Sequence, residues 1–203
     1  MKNHLHAVLD SGMHPSVSTF SVYKYVSRKV LSFLLAACLL MSLPTTGFGQ
    51  NVNVNPGAGT FSTLKEAFDA INLGSYTGAI TIDIVNNTTE TASAVLNASG
   101  TGSSSYTSIL IQPSGGAGRT ITGSITSHLI SFDGADNVTI DGLNSGGNSL
   151  TIANTSVASG NTIHFINDAS TNTIQNCTLQ GSSSSAANAV LFFNTGLTTG
   201  NDG

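Results

Sequence analysis

Three aspartates form the acidic cluster with the clearest chemical potential. Asp133, Asp136 and Asp141 lie within one short stretch of the chain. A Ca²⁺ ion needs several carboxylate or carbonyl oxygens, and paired carboxylates carry out glycoside hydrolysis. The competing interpretation is structural, because the Asp-Gly and Asp-Asn steps at Asp133 and Asp136 are common turn formers. The sequence assigns no catalytic, metal or binding residue and leaves these three as candidates for Ca²⁺.

Two histidines and a cysteine are the next candidates. His128 and His164 are 36 residues apart, a spacing that could stack them on neighbouring repeats. Two imidazoles lack the further ligands of a zinc site, so we expect both to be polar surface residues. Cys177 occupies the apolar position that Leu143 has in the preceding copy, which predicts a small buried hydrophobe rather than a reactive thiol.

Charge is scarce in this chain. Only 8% of its residues are charged and the net charge is −4, whereas an average soluble domain is about 25% charged. After residue 50, the basic residues are Lys65 and Arg119, against nine carboxylates. Such a body lacks the electrostatic footprint of a nucleic-acid binder and is not attracted to anionic lipid. The composition indicates a β-rich solenoid solvated by hydroxyls and amides.

The N-terminal region has the pattern of an export signal. An apolar run over 30–43 follows Arg28 and Lys29, and small residues precede a predicted cut after Gly49. This predicts a secretory signal peptide over 1–49 with a long n-region. A membrane-spanning helix needs about 20 apolar residues, so no span is expected in the mature chain. The predicted location is therefore extracellular or at the cell surface.

The leader leaves two alternatives open. Met13 is an alternative start, because it makes a shorter n-region. The stretch 35–38 resembles a lipobox, so lipid anchoring through Cys38 is the alternative to cleavage, although the apolar run continues beyond it. If Cys38 is removed, Cys177 is the remaining cysteine and the mature chain has no intrachain disulfide.

One segment has a helical pattern. Its apolar residues recur at i, i+3, i+4 and i+7: Leu64, Ala67, Phe68 and Ile71. Thr63 and Glu66 form a capping box, and Gly74 is a suitable C-terminal stop. The pattern predicts a helix over 63–73.

The rest of the chain has short alternating segments separated by turn residues. We predict strands at 79–85, 108–112, 119–125, 128–134, 137–143, 148–154, 161–167, 172–179 and 189–194.

A repeat connects two of these strands. The shift that superposes 137–144 on 171–178 gives these pairs: Ile140 with Ile174, Asp141 with Gln175, and Phe132 with Ile166. Stacked copies bury each inward Ile against its neighbour, and Asn amides can bond to the copies above and below. This self-similarity favours a parallel β-helix over a sandwich, whose strands would be joined by hairpin turns.

The amphipathic helix, the following "ITIDIV" and the coils of the form N-x-(T/I)-I-x-(G/N)-x-x resemble the pectin-lyase-like family. More narrowly, they resemble β-helical modules of large exported surface proteins of Gram-negative bacteria. The resemblance covers about 55–203. It implies an all-β fold, a right-handed parallel β-helix over 63–203 with an N-terminal capping helix, after a mature N-terminal segment over 50–62.

The resemblance also implies which catalytic strings to seek. Lyases of that family resemble one another in a proton-abstracting basic residue with acidic Ca²⁺ ligands, and hydrolases in clustered Asp with Gly-His-Gly and Arg-x-Lys. None of these strings is present. We therefore interpret the chain as a non-catalytic surface or adhesion module that contacts polysaccharide or cell-surface glycan. The alternative is the N-terminal part of a polysaccharide lyase or hydrolase whose catalytic coils lie beyond residue 203.

Alternation predicts the residues that line the core, with a one-residue error inverting any strand. They are Ile82, Ile84, Ile109, Ile111, Ile121, Ile130, Phe132, Val138, Ile140, Ile152, Ile163, Phe165, Ile174 and Leu191. The polar spacer over 200–203 is not followed by a further strand. The chain is therefore predicted to be an N-terminal fragment of a longer rod, or to dimerise end to end.

Overall fold

The structure, a computed structural model, describes residues 49–194, which belong to one compact unit spanning 47–203. The predicted signal peptide, apart from Gly49, and Cys38 lie outside the described residues. The elements are β1 (Gln50–Val54), α1 (Leu64–Asn72), β2 (Thr77–Ile84), β3 (Thr88–Glu90), β4 (Ala94–Asn97), β5 (Ser105–Pro113), β6 (Gly118–Gly123), β7 (His128–Asp133), β8 (Val138–Asp141), β9 (Ser149–Asn154), β10 (Asn161–Ile166), β11 (Thr173–Gln175), β12 (Cys177–Gly181) and β13 (Leu191–Phe193).

The strands form three parallel sheets. The first has the order β1-β2-β5-β8-β11, the second β3-β6-β9-β12 and the third β4-β7-β10-β13. Each coil gives one strand to each sheet: coil 2 is β2–β4, coil 3 is β5–β7, coil 4 is β8–β10 and coil 5 is β11–β13, while coil 1 contains β1 and α1. The chain is therefore a parallel β-solenoid of about five turns with one short helix, as the sequence predicted.

The core lies between the three sheets and is lined mainly by inward isoleucines. Ile111, Ile140 and Ile174 are in register on successive strands of the first sheet. All but two of the predicted core residues are buried. The exceptions are Ile174, which is half-buried, and Leu191, which is 40% exposed. Both belong to coil 5, and no further coil covers them among the described residues.

The repeat length differs between sheets, which corrects one predicted pair. Phe132 is in register with Phe165 and not with Ile166. In the first sheet the predicted pair of Ile140 with Ile174 is confirmed. Counted between positions in register, the corner from β10 to β11 holds one residue more than the corner from β7 to β8, so the shift changes from 33 to 34 residues.

A second corner changes the place of Cys177. Residues 142–148 separate β8 from β9, whereas Asn176 alone separates β11 from β12. Asn176 makes this tight corner with φ = +54°, a left-handed conformation that Asn adopts more readily than most residues. Cys177 is consequently in register with Leu150, and the predicted equivalence to Leu143 is wrong.

The predicted helix is confirmed as α1. Thr63 is its N-cap, and its hydroxyl accepts a hydrogen bond from the backbone N–H of Glu66 (3.1 Å). Gly74 follows the helix with φ = +75°, as a C-terminal stop requires. The four apolar residues of its predicted stripe are all buried.

The helix occupies the part of coil 1 where the second and third strands would lie. Its Asn72 amide donates to the carbonyl of Val95 (2.9 Å) and accepts from the N–H of Asn97 (3.0 Å), both on β4. At its other end, the N–H groups of Leu64 and Lys65 donate to the carboxylate of Glu90 on β3, at 2.8 and 3.0 Å. These contacts satisfy polar groups at the edges of the second and third sheets.

Three strands were not predicted. β3 is only three residues long and turns Thr88 and Glu90 towards the interior, so it lacks the apolar alternation of a strand. β4 is a four-residue strand, and β1 lies in the segment interpreted as the mature N-terminus. Each depends on pairing with a neighbouring coil, which a local pattern does not contain.

Candidate functional site

The three candidate aspartates are each bonded to the next coil. Asp133 ends β7, and its carboxylate accepts from the Asn167 amide (2.6 Å). Asp136 lies in the following corner and accepts from the N–H and the hydroxyl of Ser170 (2.7 and 2.8 Å). Within residues 49–194, no group of three or more His, Cys, Asp or Glu side chains is placed to hold a metal ion. Asp133 and Asp136 therefore act as coil-to-coil contacts in this fold.

Asp141 ends β8 on the first sheet and is the most heavily bonded of the three. Its carboxylate accepts from the Asn176 amide (2.9 Å), the Leu143 N–H (2.8 Å) and the Gln175 amide (2.8 Å). These donors, with Asn176 first, lower the pKa of Asp141 below its usual range. A carboxylate held ionised by three donors is a poor general acid.

The outer face of the first sheet alternates carboxylates and amides. Gln112 donates to Asp83 (2.9 Å), and Gln175 donates to Asp141 (2.8 Å). Asp83 is in register with Gln112, as Asp141 is with Gln175. The polar groups of this face thus bond mainly to one another.

The outer face of the second sheet differs, because it carries columns of threonines. Thr120, Thr151 and Thr178 are in register on β6, β9 and β12. Thr89 and Thr122 begin a second column beside them. Within the described part of the chain, none of these five hydroxyls makes a hydrogen bond to another protein group. This face therefore presents neutral hydroxyls at the strand spacing of about 4.8 Å.

A cavity of about 240 Å³ opens at coil 5. Its lining is mainly apolar and includes Phe165, Ile174, Leu191 and Phe193. These are inward positions of the last described strands, so the cavity continues the solenoid core. Its apolar character follows from the fold and by itself indicates no ligand chemistry.

The two histidines stack on neighbouring coils, as their spacing suggested. Their ring centroids are 3.8 Å apart with planes inclined by 16°. Asn161 contacts Nδ1 of His128, and Ser131 Oγ contacts Nδ1 of His164, both at 3.1 Å. The expectation that both histidines are surface residues is wrong for His164, which is 4% exposed. Its burial results from the rings on both of its faces.

The stacked histidines are poorly arranged to share a metal ion. A metal ligated by imidazole lies near the plane of the ring, about 2.0 Å from the nitrogen. Two nearly parallel rings 3.8 Å apart direct their nitrogens along separate planes. The pair therefore suits ring stacking better than joint ligation.

Cys177 begins β12 and packs half-buried against the core. Its Sγ lies 3.1 Å from the carbonyl oxygen of Gln175. Burial raises the pKa of the thiol to about 11. Because the thiolate is the reactive form, this environment protects the sulfur.

We expect folded Cys177 to react slowly with a disulfide reagent at pH 8. A pKa raised from about 9 to about 11 lowers the thiolate fraction, and hence the rate, roughly 100-fold relative to the unfolded chain. The measurement is reagent release by the Cys38→Ala chain with and without denaturant. The control is Ser124→Cys with both native cysteines replaced by Ala, since Ser124 is exposed. Equal rates for folded Cys177 and for the folded Ser124→Cys control would contradict the prediction.

Two buried polar residues were missed from the sequence. Asn154 lies inside the corner of coils 3 and 4, where its amide donates to the carbonyls of Ile125 (2.8 Å) and Asn161 (3.0 Å). Its Oδ1 accepts from the N–H of Ile125 (3.1 Å). Glu90 is the other. An Asn or Glu near a strand end has no distinguishing local signal, because its partners come from other coils.

Comparisons with protein-family models, with curated proteins and with solved structures found no match for this chain. The class of protein therefore follows from the fold alone: a parallel β-solenoid whose second sheet carries a threonine face. None of the described helices is long and apolar enough to cross a membrane.

Proposed function

We propose that this protein is a non-catalytic, exported β-solenoid module of the pectin-lyase-like type that contacts glycans through the outer face of its second sheet. The observation that carries the proposal is the column of Thr120, Thr151 and Thr178, whose hydroxyls have no protein partner in the described residues. Hydroxyl groups both donate and accept hydrogen bonds, as the hydroxyls of sugars do.

The contrast with the first sheet supports this choice of face. There, Asp83 is bonded by Gln112 and Asp141 by Gln175, so a ligand would have to displace existing hydrogen bonds. On the second sheet, a glycan would displace only water. The face is regular along the solenoid because successive strands are in register, which suits an extended polymer.

The charge of the chain favours neutral glycans over polyuronates. Beyond residue 50 it has nine carboxylates and two basic residues, so an acidic polymer is repelled at low ionic strength. The lyase and hydrolase alternative predicts the reverse, because the enzymes of the resembled family act on acidic polysaccharides.

Replacement of the three threonines by valine tests the proposed face. Thr120→Val, Thr151→Val and Thr178→Val together keep the β-branched shape and remove the hydroxyls. We expect affinity for a neutral polysaccharide panel to fall about tenfold or more, since each net hydrogen bond contributes about 1 kcal/mol. The measurement is affinity electrophoresis or calorimetry with the full chain.

The matched control makes the same change on the first sheet: Thr81→Val, Thr139→Val and Thr173→Val. We expect this variant to bind like the wild type. Equal binding by both triple variants, or no binding by the wild type, would refute the proposed face. Release of unsaturated or reducing ends from polygalacturonate would instead support the enzyme alternative.

We further propose that α1 closes the start of the solenoid. Its hydrogen bonds to Glu90, Val95 and Asn97 support this role, because they engage the strands of coil 2 where the second and third strands of coil 1 would otherwise pair. Repeat proteins need such atypical ends to avoid association through exposed edges.

A further inference from the structure

Three aromatic rings form a column across coils 3, 4 and 5 on the third sheet. His128 stacks on His164 at 3.8 Å between centroids, and His164 faces Phe192 at 5.5 Å with planes inclined by 21°. His164 and Phe192 are register neighbours on β10 and β13. The imidazole of His164 is therefore covered by a ring on each face. We call these three side chains the ring column.

The hydrogen bonding of His164 suits a neutral ring only. Its Nδ1 lies 3.1 Å from Ser131 Oγ, whereas its Nε2 is shielded from solvent and has no partner among the described residues. An imidazolium carries N–H donors on both nitrogens. Protonation would thus leave a charged, buried donor without an acceptor, which is unfavourable.

The charged and titratable groups that face His164 are His128 and Asp133, both on β7. Phe192, on β13, carries no charge. Burial lowers the pKa of His164 to about 4, the neighbouring His128 lowers it further, and Asp133 acts in the opposite direction. Burial also lowers the pKa of His128. The attraction between a cation and the face of Phe192 opposes these effects but is a weaker interaction than the loss of hydration.

We propose that the ring column is an acid-sensitive contact that holds β13 on β10 at neutral pH and releases it on acidification. Two charged imidazoles at this separation repel each other and require water, so the rings must part. Strand β13 has little else to hold it, because it is three residues long and its Phe193 is 61% exposed. Its other ring contact is the stack of Phe193 on Phe165 at 4.7 Å.

Amide hydrogen exchange of the full chain tests the proposal at a single reporter. The N–H of Ile163 donates to the carbonyl of Val190 (2.9 Å), so its exchange reports whether the segment leading into β13 is in place. Exchange is compared at pH 7.5 and pH 5.0 after division by the intrinsic rate at each pH. A pKa of 6.5 in the opened state and about 4 in the closed state predicts roughly 30-fold more opening at pH 5.0.

A second amide separates local opening from global unfolding. The N–H of Ile109 donates to the carbonyl of Asn137 (3.1 Å), between coils 3 and 4 of the first sheet. We expect its exchange to change little between the two pH values. An equal increase at Ile109 and Ile163, or no increase at Ile163, would overturn the proposal.

Replacement of His164 by a ring that does not titrate completes the test. In His164→Phe, the Ile163 exchange is expected to become independent of pH between 7.5 and 5.0, and in His128→Phe the pH dependence is expected to weaken. A folded His164→Phe chain that keeps the wild-type pH dependence would contradict the proposal. If His164→Phe does not fold, the wild-type chain suffices: the His164 ring resonance must titrate with the same midpoint as Ile163 opening, and different midpoints would overturn the assignment.

Discussion

Ile140→Asp is expected to lower the free energy of unfolding by about 4 kcal/mol. Ile140 is completely buried and lies between Ile111 and Ile174 in the first-sheet ladder. A carboxylate at this position loses its hydration, finds no donor among the surrounding isoleucines and removes apolar contacts with two coils. The measurement is chemical denaturation of the full chain, in which the midpoint should fall with little change in slope.

Thr139→Asp is the matched control for this substitution. It places the same side chain one residue earlier, on the half-exposed outer face of β8. We expect a change of less than about 1 kcal/mol, as for most surface substitutions. Equal midpoints for wild type and Ile140→Asp would show that the assigned inward face of β8 is exposed.

Glu90→Ala is expected to destabilise the chain by about 3 kcal/mol. The Glu90 side chain is 2% exposed, and its two oxygens accept from the N–H groups of Leu64 and Lys65 at the start of α1. The Thr88 hydroxyl donates to the same carboxylate (3.2 Å). Removal of the acceptor leaves buried donors unpaired and also removes a negative charge from a helix N-terminus, where it is favourable. The measurement is again the denaturation midpoint.

Glu66→Ala is the control for Glu90→Ala, because Glu66 also lies at the start of α1 but is exposed. Its carboxylate accepts from the N–H of Ser62 (2.7 Å), and its loss should cost about 1 kcal/mol or less. Glu90→Gln keeps one acceptor oxygen and is expected to lie between the two. If Glu90→Ala were no more destabilising than Glu66→Ala, the hydrogen bonds of Glu90 would not hold α1 in place.

The pH dependence of stability has opposite signs at Glu90 and His164. Burial raises the pKa of Glu90, so its contribution is present below its usual pKa of 4.5 and is lost as pH rises through the raised value. The lowered pKa of His164 acts in the other direction. Its contribution is present above 6.5 and is lost as pH falls towards about 4, on the order of 3 kcal/mol in total. Glu90→Gln and His164→Phe separate the two.

The candidate site shows where prediction from sequence was limited. Asp133, Asp136 and Asp141 attract attention because carboxylates are scarce, yet their partners Asn167, Ser170 and Asn176 are 34 or 35 residues away. The threonine columns have no special local pattern, since Thr alternates with Ile in many strands. Their alignment depends on the register of three strands from three coils.

The sequence by itself determined the elements whose signals are local. The helix at Leu64–Asn72 follows from a four-residue apolar stripe with a cap at each end, and the inward faces of most strands follow from alternation with period two. The pairing of Ile140 with Ile174 also follows, because both segments repeat nearly the same residues.

Only the tertiary structure decided the features that depend on corner length and on distant partners. The single-residue corner at Asn176 sets Cys177 beside Leu150, and one extra residue before β11 sets Phe132 beside Phe165. The burial of Glu90 requires α1, and the burial of His164 requires rings from coils 3 and 5. A side chain's neighbours in a solenoid belong to adjacent coils, so its burial and pKa are determined by register, which local alternation leaves unspecified.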